Sequence, residues 1–143
     1  MNVPHTFINN IIPVLKNDPY FENVTITTAY ENDIKPYPVE KPIIALAMDK
    51  YTVGERLISV NEDGSETLSK KRIGESVIKV TFFVPYENGA AECYRWADYL
   101  YSYFLFQTEL DITGCHLYDC NYVRECGALV LETDFTLRQT LSE

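Results

Sequence analysis

LVLETDFTLRQTL, residues 129–141, decides the fold. Leu129, Leu131, Thr133, Phe135, Leu137 and Leu141 share one parity, while Glu132, Asp134, Thr136, Arg138 and Thr140 share the other. Side chains alternate across a strand, so this segment has one apolar and one polar face. An antiparallel sheet covered by helices on one side and wet on the other produces such a pattern. The expected strand covers 128–141, and a partner strand is expected just before it, over 112–123.

Working outward, Cys93, Trp96, Ala97, Leu100, Tyr101 and Phe104 recur at i, i+3, i+4, i+7, i+8 and i+11. That is the core-facing stripe of a helix, expected over 90–107. Tyr94, Tyr99, Tyr103 and Phe106 fall outside the stripe. Aromatics placed there either cover loops of the same chain or mark a protein interface, where they are enriched.

Further upstream, residues 51–60 and 67–84 read as two long strands, and Asp63-Gly64 between them is a hairpin signal. Ile78, Val80, Phe82 and Val84 alternate, whereas 69–76 is almost entirely polar. The hairpin is therefore expected to start in the core sheet and protrude, its distal half meeting solvent or a neighbouring subunit. Lys70, Lys71 and Arg72, the only basic cluster, lie on it. The short apolar run 42–48 reads as a buried strand, preceded by an extended connection punctuated by Pro36, Pro38 and Pro42. Residues 24–30 alternate and are rich in β-branched side chains, which predicts a strand. Phe7, Ile8, Ile11, Ile12 and Leu15 line one helical face, with Pro13 expected to shorten, bend or split the helix and Asn17, Asp18 and Pro19 to stop it.

These elements predict one α+β domain over 1–143. Its order is α-β-β-β-β-α-β-β, a mostly antiparallel sheet flanked by two helices, with a protruding hairpin. At 143 residues the chain is long enough to bury roughly 68–70% of its unfolded surface. With 46% hydrophobic and 23% charged residues it lacks the composition of a disordered chain. Its 21 acidic against 12 basic residues leave a net charge of −9, which repels phosphate backbones and argues against specific nucleic-acid binding. Residues 1–15 carry neither leading positive charges nor a small-residue cleavage site, and no apolar run approaches the roughly 20 residues of a membrane helix. The expectation is a soluble protein made in the cytosol, with no membrane partner.

Four cysteines, Cys93, Cys115, Cys120 and Cys126, raise the question of a metal, with His116 among the last three. The spacing C-x4-C-x5-C lacks the tight C-x2-C pair of zinc ribbons. In an extended strand Cys115 and Cys120 have opposite parity and are expected on opposite faces. Reduced thiols, no metal and no cofactor are expected. Catalytic signatures are also absent. The two histidines, His5 and His116, sit in no recognisable motif, and there is neither a G-x-S-x-G elbow nor a Gly-rich phosphate loop. Asp18 with Glu22 and Glu62 with Asp63 fall in turn-like surroundings that favour acidic side chains for local hydrogen bonding. The chain does not read as an enzyme.

Residues 72–87 (RIGESVIKVTFFVPYE), followed by the aromatic helix around Tyr94, Trp96 and Tyr101, resemble the tail-terminator and minor tail proteins of tailed phages and related contractile particles. The closing strand 129–141 is similar to the C-terminal strands of small prophage tail-completion proteins. The likeness follows element order through most of the chain. It implies a subunit of a hexameric ring that caps a tail tube, with no catalytic residues. Its partners would be copies of itself, the tube, and sheath or neck proteins. The resemblance also implies synthesis in the bacterial cytoplasm and assembly into a virion or tail-like particle. The off-stripe aromatics and the Lys70–Arg72 cluster become the candidate interface. A neck or head-completion protein, and a small protein-binding module of a mobile element, remain alternative readings of the same features.

Overall fold

The computed structural model of the protein describes residues 4–28 and 39–141. Its opening helix, α1 (Pro4–Lys16), buries Phe7, Ile8 and Leu15, with Ile11 and Ile12 packed beside them. Pro13 lies within this single helix without splitting it. It is exposed and only three residues from the end, where its carbonyl still accepts from the Asn17 N–H at 3.2 Å. The predicted stop takes the form of a 3-10 turn, Pro19–Phe21, capped by the Asp18 carboxylate, which accepts from the Tyr20 N–H at 2.9 Å.

Strand β1 (Thr25–Thr28) pairs in parallel with β2 (Ile43–Val60). The last two residues of the predicted first strand, Ala29 and Tyr30, lie outside the described residues, as do Pro36 and Pro38 of the proline-punctuated connection. Described again from Val39, the chain donates that residue's N–H to the Cys126 carbonyl at 2.8 Å. The runs 42–48 and 51–60, read from sequence as two strands, are joined in β2, with a register shift between Met48 and Lys50 marking the junction. After β3 (Glu66–Pro85) come α2 (Ala90–Phe106), β4 (Asp111–Val123) and β5 (Ala128–Leu141).

The five strands form one sheet in the order β1-β2-β3-β5-β4, antiparallel except for β1 with β2. The crossover from β3 through α2 to β4 leaves one strand position open, and β5 fills it by a hairpin from β4. The fold is α+β, as the alternation predicts. Both helices pack on one sheet face. Ile78, Val80, Phe82 and Val84 of β3 and Leu131, Phe135 and Leu137 of β5 are buried there beneath Leu100 and Phe104. Phe7 joins the two helices to the sheet, its ring centroid 6.5 Å from that of Phe104 and 6.4 Å from that of Phe135. Thr133 is the polar residue of the apolar β5 set. Its hydroxyl donates to the Val80 carbonyl at 2.7 Å and receives the Tyr101 hydroxyl at 2.6 Å, so burial leaves neither group unpaired. The opposite face is largely polar, with a small cluster of Ala45, Phe83 and Val130 against which Val39, Ile43 and Val123 pack.

Among the described residues the hairpin runs beyond its neighbours. β5 pairs with β3 as far as Arg72 opposite Leu141, and β1 pairs with β2 as far as Leu46, among the described residues. Beyond these points β2 and β3 pair with each other alone among the described residues, up to Val60 opposite Glu66. Gly64 takes φ 84° at the tip, a conformation that glycine adopts without a Cβ penalty. Among the described residues no helix is long and apolar enough to cross a membrane.

Candidate protein interface

The α2 aromatics divide into two kinds. Tyr99 stacks on Tyr20, with centroids 3.6 Å apart and planes 11° off parallel, and its hydroxyl donates to Asp18 Oδ2 at 3.0 Å. Tyr20 stands edge-on to Trp96, and Phe21 leans against both Trp96 and Tyr99. Burial, with the hydrogen bond to Asp18 next, raises the Tyr99 phenol above the ordinary tyrosine range. Tyr103 is half-buried against the core, its ring 5.9 Å from Phe104. These two side chains spend much of their surface inside the chain. Tyr94 and Phe106 do not: they are 44% and 81% exposed.

The basic cluster divides as well. Lys70 and Lys71 are exposed on the arm, whereas Arg72 Nη1 donates across it to the Gly54 carbonyl at 3.0 Å. Here the ladder is irregular: Arg56 faces Arg72, but the next aligned pair is Ile58 with Leu68, leaving three β3 residues opposite the single Leu57.

Ile58 and Leu68 are the residues that sequence reasoning passed over. They face each other across the arm while 60% and 63% exposed, and Val60, on the same face, is 72% exposed. The signal was present in the turn, since folding the chain about Asp63-Gly64 sets the only apolar residue of 61–71, Leu68, against the apolar end of β2. The tip is well ordered by its own polar groups. Asp63 Oδ1 accepts from the Ser65 N–H at 2.9 Å and its hydroxyl at 2.6 Å, and these bonds lower the Asp63 carboxyl below its usual pKa. Asn61 Nδ2 donates to Ser65 and Thr67 at 2.9 and 2.8 Å.

A second exposed apolar stretch follows β4, which lies at the sheet edge. Leu117 and Tyr122, opposite Thr133 and Leu129, are on the helix-bearing side and half-exposed. Tyr122 packs edge-on to Tyr86 with centroids 5.0 Å apart. On the other side, His116 Nδ1 lies 3.0 Å from Asp134 Oδ1, and the Tyr118 hydroxyl donates to Asp134 Oδ2 at 2.6 Å.

The parity expected of Cys115 and Cys120 is corrected here. The register shifts between Leu117 and Cys120, where three steps on β4 match two on β5. Such a bulge inserts a residue and flips the alternation. Cys115 opposite Phe135 and Cys120 opposite Leu131 thus share the helix-bearing face. Cys120 lies beside Cys93, whose thiol is pushed up to about 12, first by burial and then by Cys120 itself. His116 points the other way, and Cys126 is buried in the turn after β4. Among the described residues, no three His, Cys, Asp or Glu side chains converge in a way that could hold a metal ion.

Where β5 outruns β4, an open cleft is lined by Ile73, Leu110, Leu137 and Gln139, with the Arg138–Asp111 ion pair at 2.9 Å on its rim. Its lining residues include no nucleophile paired with a base. Comparison with known proteins yields neither a matching family model nor a matching curated protein.

Proposed function

We propose that the protein is a structural subunit that assembles with copies of itself into a ring, one that terminates or completes the tail of a phage or phage tail-like particle. The observation that carries this reading is the arm. A two-stranded ribbon is marginal in water at best, yet this one leaves the sheet with Ile58, Val60 and Leu68 uncovered. Apolar residues grouped on a projecting element mark a contact surface. The element order supports the tail assignment through its resemblance to tail-terminator proteins, and the net charge of −9 suits a lumen that does not retain DNA. On this reading the protein has no catalytic role, and its partners are its own copies, the tail tube, and sheath or neck proteins. It is made in the bacterial cytoplasm and ends in the particle. Native mass measurement and electron microscopy of the purified protein should show closed rings, and added tail tubes should acquire them at one end. A chain that stays monomeric at high concentration and ignores tubes refutes the proposal.

A further inference from the structure

Resting on that self-assembling reading, we infer that the ring contact is head-to-tail: the arm of one copy lies along the β4 edge and the adjoining flank of α2 of the next. The arm offers Ile58, Val60 and Leu68 on one face, with Arg56, Lys70 and Lys71 near its root. Residues 53–72 hold four acidic and four basic residues, so the arm is neutral and the net −9 belongs to the rest of the chain.

The body offers the complement. Tyr94, Asp98, Tyr101 and Leu105 recur at i, i+4, i+7 and i+11 on α2. Tyr101 is buried against Phe135 and lies near Cys115 of β4, so this stripe is the flank of α2 on the β4 side. Tyr94 and Leu105 are exposed on it, and Leu117 and Tyr122 are half-exposed on the helix-bearing face of β4. Asp98 is exposed on this flank, and Asp119 is exposed on β4. Arg56, Lys70, Lys71, Asp98 and Asp119 have no ion-pair partner among the described residues.

Both surfaces also carry unpaired strand edges. β4 has a neighbour only in β5, and the arm has none beyond its own two strands among the described residues. Free backbone donors and acceptors along such edges are templates for pairing with another chain. An arm-to-arm contact with root beside root would set the basic groups against each other, while arm-to-body contact sets base against acid. A contact between two different patches is heterologous and closes into a ring when its rotation permits.

The test uses two full-length variants, Ile58→Asp with Leu68→Asp on the arm, and Leu117→Asp with Tyr122→Ser on the body. Thermal unfolding shows whether each keeps the parent fold. Each alone should run as a monomer. Mixed, they should form a complex of two chains and nothing larger, because one intact arm then meets one intact body patch. Charge reversal gives a second arm of the test that leaves apolar packing untouched. Lys70→Glu with Lys71→Glu should abolish rings, and adding Asp98→Lys with Asp119→Lys should restore them. If the parent forms rings but the body variant does so equally well, or the mixture stays monomeric, the pairing of arm with β4 and α2 is wrong and the ring reading stands. A parent that never assembles removes both.

Discussion

The two ends of β3 belong to one strand but differ in almost every physical respect. From Ser76 to Phe83 it is flanked by β2 and β5 and covered by α2, and Ile78 and Val80 are fully buried. From Glu66 to Lys71 it has β2 alone among the described residues, and Leu68 stands in solvent. The arm end is polar apart from Leu68 whereas the body end is mostly apolar, so side-chain type and the number of flanking strands act together. Burial follows from both and from where the helices end. The body end stabilises the monomer, and on the proposed reading the arm end stabilises contacts between monomers.

The largest effect should therefore come from the body. Phe135 is fully buried and its ring meets those of Phe7, Tyr101 and Phe104. Phe135→Ala should cost about 3–5 kcal/mol in chemical denaturation, the usual range for a truncated core aromatic. Ile58→Ala in the arm should stay within about 0.5 kcal/mol, as exposed substitutions do. Equal losses at the two positions would erase the contrast.

The second experiment removes the arm. Because Arg56 faces Arg72, residues 57–71 can be replaced by Asn-Gly, a two-residue turn suited to a hairpin. The shortened protein should unfold cooperatively near the parent midpoint and form no rings. Loss of cooperative unfolding would show that the arm belongs to the folding unit.

A smaller effect separates the aromatics. Tyr99→Ala removes the stack on Tyr20 and the hydrogen bond to Asp18, and should cost about 1–2 kcal/mol from an aromatic pair plus one hydrogen bond. Tyr94→Ala should leave monomer stability within about 0.5 kcal/mol and weaken self-association. The reverse ranking would exchange the roles assigned to these two residues.

What could be read from sequence was whatever depends on local period. All six residues of the α2 stripe are buried, and the alternation of 129–141 identifies the helix-bearing face, Thr133 included. What escaped depends on distant partners or inserted residues. Tyr99 meets Asp18 across 81 positions of chain, which helical spacing cannot register. The Cys115–Cys120 parity failed at a bulge that no glycine or proline within 116–119 announces. The exposed pairing of Ile58 with Leu68 required counting outward from the turn and knowing that β5 ends at Leu141.

The smallest effect probes the arm tip by titration. Asp63 is solvent-exposed, yet its carboxylate accepts both the backbone and the hydroxyl hydrogens of Ser65, which favours the charged form and lowers its pKa from the ordinary 3.8. A carboxyl whose pKa is lower folded than unfolded contributes stability that is fully present above its unfolded value. That contribution is lost as pH falls through the folded value. The affected window is therefore below about pH 4, and only the turn is involved. Following the Gly64 and Ser65 amide resonances with pH should give a midpoint below 3.8, while amides of Val80 and Leu131 in the body show no matching transition. Asp63→Asn should remove that midpoint and leave the unfolding temperature of the body unchanged at neutral pH. A midpoint at or above the ordinary value would mean that the Ser65 bonds do not persist in solution. A body transition at the same pH would mean that tip and core are coupled, contrary to the division drawn along β3.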